Sequence, residues 1–196
     1  MRSTMLLGLL AGFLAVSLAG CETPAPKPVF PELTYGHLPK FSLDVARIEI
    51  VEAYKAPAKK PNVDHQFPAP PAAAVARWLR DRLHAVGGAR TAIATVTNGA
   101  VVEVPLKKTP GIKGSFTVDQ SERYDGELAV NIRIFANNGR QEAMISAGAE
   151  RRRTVPEDIT IDGRQRAWFE MTEAMMNNLN GQLERQIRSY FAKYLK

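Results

Sequence analysis

The stretch YDGELAVNIRIFA, residues 124–136, decides the fold. Leu128, Val130, Ile132 and Ile134 take alternate positions, with Glu127, Asn131 and Arg133 between them. A period of two with one apolar side is the pattern of a strand whose sheet is covered on one face and wet on the other. Asn137, Asn138 and Gly139 then turn the chain, and Glu142 to Thr154 returns with Ala143, Ile145, Ala147 and Ala149 on a single face. Side chains that small predict that another element packs closely against the returning strand.

Working outward toward the C-terminus, Pro156 ends the second strand, and Asp162 with Gln165 three residues later forms a capping pair for a last helix. Its apolar stripe is Trp168, Met171, Met175, Leu179, Leu183, Ile187, Tyr190 and Tyr194, with Met176 and Phe191 beside it. Most of that stripe reads as core, and its width leaves room for one partly exposed apolar strip, a Met-rich groove for a lipid or partner, as the alternative. Toward the N-terminus, Thr91 to Thr97 and Ala100 to Leu106 are two β-rich runs around Asn98-Gly99, a pair that signals a hairpin. Ala72 to Val86 places Val75, Trp78, Leu79, Leu83 and Val86 on one helical face, leaves Arg77, Arg80, Asp81 and Arg82 off it, and stops at Gly87 and Gly88. Phe41 to Tyr54 is strand-like, with a slip of the alternation near Ala46 that a bulge would absorb. The segment from Pro57 to Pro71 is proline-rich and reads as an exposed loop that opens the first helix.

The expected fold class is α+β: an antiparallel sheet, a meander, with two helices packed on one face as a two-layer sandwich. At 196 residues the chain holds one domain with a proper core, residues 40–196. Residues 21–39, rich in proline, read as a tether.

Residues 1–20 have the order of a secretory signal peptide: Arg2, an apolar run from Met5 to Ala19, then small residues. The run is too short to span the hydrocarbon core, which takes about 20 apolar residues. The tetrad Leu18, Ala19, Gly20, Cys21 resembles the lipobox of bacterial lipoproteins. The resemblance implies cleavage before Cys21, a diacylglycerol on its thiol and acylation, typically with palmitate, of the new amino terminus. Cys21 is the single cysteine, so no intramolecular disulfide competes for it. Each buried methylene contributes about 0.8 kcal/mol, and two or more acyl chains make the attachment stable. Glu22 in place of an aspartate resembles lipoproteins sent to the outer membrane, periplasmic face, with the inner membrane as the alternative.

No catalytic or metal signature is present, and no cofactor is expected. His37, His65 and His84 are not at ligand spacing. The serines lack nucleophile-elbow glycines. Lys107, Lys108, Thr109, Pro110, Gly111, Ile112, Lys113 and Gly114 form a basic glycine-containing run without phosphate-loop spacing, which reads as a loop. The run Arg151, Arg152, Arg153 splits across a strand, Arg151 and Arg153 on one face. Arg151, Arg153, Lys107 and Lys108 are the candidate anion contacts, for lipid headgroups, lipopolysaccharide or peptidoglycan; a solvated strand end is the plain alternative. The formal net charge of +6 would suggest nucleic acid for a cytosolic domain, but export removes that partner and leaves anionic envelope components.

In layout, residues 41–196 resemble auxiliary lipoproteins of ABC-type lipid transporters and the lipoprotein partner in lipopolysaccharide assembly. That resemblance implies a non-enzymatic binding or assembly subunit, partnered by an envelope protein or a lipid-like ligand. Two alternatives stand beside it: an envelope hydrolase using carboxylates such as Glu122 and Asp125 or Asp158 and Asp162, and a structural lipoprotein contacting peptidoglycan.

Overall fold

The structure, a computed structural model, describes residues 28–106 and 120–196. The fold is α+β, with seven strands and two helices among these residues: β1 Phe41–Leu43, β2 Arg47–Glu52, α1 Pro71–Arg82, β3 Leu83–Ala85, β4 Thr91–Asn98, β5 Val101–Pro105, β6 Gln120–Phe135, β7 Gln141–Pro156 and α2 Ile161–Tyr190. The paired strands β6 and β7 form the expected hairpin, each 16 residues long, with Gly139 supplying the positive φ of +79° in the turn. From Leu128 to Ile134 the apolar side chains of β6 are buried, and Ile145, Ala147 and Ala149 of β7 join them on the helix-covered face. Both helices pack there, α1 on β2, β4 and β6 and α2 chiefly on β7.

The sheet is not a pure antiparallel meander. β2 pairs with β4 in parallel, and the short β1 pairs with β3 in parallel as a separate sheet. A parallel pair needs a crossover connection, and α1 is that connection. The one slipping strand expected from Phe41 to Tyr54 is two strands that join different sheets.

Asn98-Gly99 does not turn a hairpin. β4 and β5 both run antiparallel to β6, one after the other along the same edge, with Asn98 opposite Ala129 and Val101 opposite Gly126. Asn98 accepts a bond from the Ala100 backbone across a local irregularity. Gly99 is there for space, since a Cβ on it would lie 2.6 Å from the Ala72 Cβ at the start of α1.

α1 ends four residues earlier than expected. It ends at Arg82 because Leu83 turns extended to pair with Phe41, so Val86 leaves the helical face and is exposed. Gly87 is no helix cap: a Cβ there would sit 2.6 Å from the Asp44 carbonyl carbon. The loop before α1 is also not wholly exposed, because Val63, Asp64 and Phe67 are buried and Phe67 stacks on Trp168 at 5.0 Å.

α2 is capped by Thr160, whose hydroxyl accepts from the Gly163 N–H at 3.0 Å, and not by Asp162. Trp168, Met171, Met175, Leu179, Leu183 and Ile187 are buried as the stripe requires. Tyr190 is exposed, and Tyr194 is buried from a short 3-10 turn beyond the helix. No Met-rich strip is left over, since Met176 and Phe191 are buried as well. Met171 and Met175 lie over Gly126, where a Cβ would meet the Met171 Cε at 2.6 Å.

The proline-rich lead joins the domain before residue 40. Phe30 stacks on Phe169 at 5.2 Å, Glu32 pairs with Arg77, and the Tyr35 N–H donates to Asp81 at 2.8 Å, so the lead crosses both helices. Its last carbonyl, that of Pro39, accepts from Arg82, the fully buried last residue of α1.

Candidate functional site

Of the sequence-based candidates, Cys21, Lys107 and Lys108 lie outside the described residues. Arg151 and Arg153 share the α2-facing row of β7 but do not act together. Arg153 pairs with Glu170 at 2.8 Å, whereas Arg151 is exposed and makes no ion pair among the described residues. Arg152, on the opposite face, approaches Asp125 at 3.8 Å.

The carboxylates proposed for hydrolysis do not converge. Glu122 accepts a bond from the buried Tyr124 hydroxyl at 2.6 Å and pairs with Arg164, while Asp125 bonds Arg123 at 2.7 Å on the other face of β6. The Arg123 bond holds the Asp125 carboxyl below its usual range, and burial, then the Glu122 bond, push the Tyr124 hydroxyl up. Asp158 and Asp162 are exposed. Among the described residues no group of three or more His, Cys, Asp or Glu side chains could hold a metal ion.

The feature that sequence reading missed is the open edge of β7. Sheet edges are usually shortened, charged or covered. β2 is six residues long and carries the Arg47–Glu49 and Glu52–Arg80 ion pairs. β5 is covered by the preceding loop, whose Val63 N–H and Pro61 carbonyl bond Val101 and Glu103. β7 is long, and among the described residues only β6 pairs with it.

α2 runs antiparallel beneath β7 in a register fixed by three contacts. Arg153 meets Glu170, the Gly148 N–H donates to Gln182 at 3.4 Å, and Gln186 donates to the Ser146 carbonyl at 2.6 Å. Ser146 and Gly148 therefore direct their main-chain groups to the open edge, and by the strand period so do Met144 and Glu150. Beside them lies a groove of about 830 Å³, with a floor of Ala129, Ala147, Gly148 and Ala149 and a wall of Asn178, Gly181 and Arg185. A second hollow of about 520 Å³ continues from Ser146 to Met144 and Tyr190, both exposed.

Two details of the groove have no role in holding the fold together. Gly181 sits inside a 30-residue helix, where glycine costs about 1 kcal/mol relative to alanine. A Cβ there would meet only the Arg185 guanidinium, at 3.4 Å, so nothing among the described residues demands a glycine. At the groove mouth Glu127 stands directly opposite Glu150 on the neighbouring strand. Both are exposed and neither has an ionic partner among the described residues, an arrangement that is destabilising by itself.

The pair was partly countable from sequence. The turn at Asn138 fixes the hairpin register, but a shift between Ile134 and Phe135 moves it by one residue, and one residue changes every facing pair.

Fold and site define a small α+β domain in which β7, one of its two longest strands, leaves one edge unpaired beside a groove among the described residues. No protein-family model matches the chain, and no curated protein does. The solved structure of protein XCC0632 from Xanthomonas campestris, of family DUF330, is similar over 82% of this chain and 98% of its own, at 12% identity and a TM-score of 0.32. A likeness at that TM-score carries no argument about fold or function.

Proposed function

We propose that this chain is a lipid-anchored protein of the bacterial envelope, a non-enzymatic binding or assembly subunit that holds a partner in the groove along β7. The lipobox-like tetrad ending at Cys21 supports the anchor, and Glu22 supports the periplasmic face of the outer membrane. No helix among the described residues is long and apolar enough to cross a membrane. The observation that carries the binding role is the groove itself: an unpaired strand edge, small residues beneath it, and a helix glycine that leaves room beside it. The lead from residue 28 lies across the outer side of the helices, between Phe30 on Phe169 and Pro39 on Arg82, and not over the β7 edge. The described part of the lead therefore leaves the groove accessible.

Two measurements in cells test this reading. Palmitate labelling should be lost in Cys21→Ser, and a photo-crosslinking side chain placed at Ser146 should give discrete adducts that the same group at exposed Ile161 does not give. Labelling that persists in Cys21→Ser, or adducts that do not differ between the two positions, would overturn it.

A further inference from the structure

The groove restricts the chemistry of its occupant, an inference that rests on the binding role just proposed. We propose that β7 takes up an extended segment of another envelope protein as an added strand. That segment carries a basic side chain opposite Glu150 and an apolar one six residues along, opposite Met144.

The main chain sets the mode of binding. Met144, Ser146, Gly148 and Glu150 present N–H and C=O groups at the open edge, and among the described residues two of these groups are taken, by Gln186 and Gln182. The bond of Gly148 to Gln182, at 3.4 Å, is the weaker and the one that an incoming strand replaces most readily. Six residues of strand span about 20 Å, so the segment has about seven to nine residues.

Side chains set the selectivity. Residues 144, 146, 148 and 150 lie on the face of β7 away from the helices, as does Glu127 of β6. A lysine or arginine opposite Glu150 reaches both carboxylates and relieves their mutual repulsion. At the other end, Met144 and Tyr190 offer exposed apolar surface. Side chains of the segment that face the helix layer come over Gly181, where an alanine would narrow the space.

A two-fold pairing of β7 edges centred on Gly148 sets Glu150 against Ser146, and one centred on Glu150 sets it against itself; neither brings a cation to the acid pair. A pairing centred on Arg151 sets Glu150 against Arg152, whose guanidinium already approaches Asp125 at 3.8 Å.

The test uses the full chain in detergent micelles and a blocked nine-residue peptide of alternating threonine and valine, with lysine second and leucine eighth. A control peptide has glutamate in place of the lysine. Binding is followed by fluorescence anisotropy and by hydrogen exchange at backbone amides. The lysine peptide should slow exchange at Met144 and Glu150, the control should bind about tenfold more weakly, and Glu127→Gln/Glu150→Gln should remove most of that difference while the helical circular dichroism stays unchanged. Equal affinity for both peptides, or protection that falls outside residues 144–150, overturns the proposal. So does protection of β7 that rises with protein concentration without peptide, which assigns the edge to a second copy, or protection by anionic lipid vesicles alone. Specific crosslinks from Ser146 in cells with no peptide binding overturn the strand chemistry and leave the binding role standing; loss of both removes that role too.

Discussion

Replacing Arg82 should destabilise the protein more than any surface charge change. Its side chain is fully buried at the end of α1, and its three donor nitrogens are all used: Nε to the Pro39 carbonyl at 2.7 Å, Nη1 to Asn180 at 2.8 Å and Nη2 to Glu184 at 2.7 Å. The guanidinium also lies 4.9 Å from the Phe41 ring centroid and 5.2 Å from that of Trp78. Arg82→Ala leaves the Pro39 carbonyl without its donor, at about 1–3 kcal/mol. It also removes a desolvated cation–π contact of about 2 kcal/mol. Glu184 is one-third exposed and can turn to water, so its loss adds little. Asn180 keeps one donor, the Trp78 indole N–H at 2.8 Å. The sum is about 3–5 kcal/mol, the range found when one partner of a buried ion pair is removed. In a domain of this size that lowers the melting temperature by about 6–20 °C. Urea unfolding of the variant, followed by circular dichroism, measures it. Arg82→Lys should recover only a minor part, because an ammonium group cannot hold three divergent acceptors. A loss below about 1 kcal/mol in Arg82→Ala, or full recovery by lysine, would refute the reasoning.

Three carboxylates predict the response to acid. The Lys196 bond holds Asp44 below its ordinary range, Arg90 does the same for Glu142, and Arg123 for Asp125. A depressed folded-state value contributes stability that is present above the unfolded-state value and lost as pH falls through the folded one. The urea midpoint should therefore hold steady from about pH 8 to pH 5 and decline below about pH 4; a midpoint unchanged down to pH 3 would contradict this. Two glycines should respond in opposite directions. Gly99→Ala brings a Cβ to 2.6 Å from the Ala72 Cβ and should destabilise by about 1–3 kcal/mol. Gly181→Ala meets only a guanidinium at 3.4 Å and should stabilise by about 0.5–1 kcal/mol while weakening uptake of the lysine peptide. Thermal melts of the two variants check both signs.

The hairpin of β6 and β7 and the buried stripe of α2 were legible because each depends on a period within one segment: two along a strand, 3.6 along a helix. Other features were not. Asn98-Gly99 has the composition of a turn but serves as a joint between two strands on one edge, since the partner of each is β6. Leu83 continues the helical apolar pattern of α1 yet is drawn into a strand by Phe41, about forty residues earlier in the chain. Arg82 resembles a solvent-facing charge until the lead, Asn180 and Glu184 close over it.

The candidate site divides in the same way. The resemblance of the Cys21 tetrad to a lipobox is readable because a signal of that kind is a linear string. The groove is not, since Glu127, Gly148 and Gly181 become neighbours only when a hairpin register and a helix position are both set. Sequence by itself therefore determined the α+β class, the long hairpin, the buried stripe of α2 and the lipobox resemblance, all of them properties of short stretches. Tertiary structure alone decided the parallel pairing of β2 with β4, the burial of Arg82, and the strand edge left open. The physical reason is that pairing partners and desolvation are set by contacts between distant segments, and no local period encodes which segments those are.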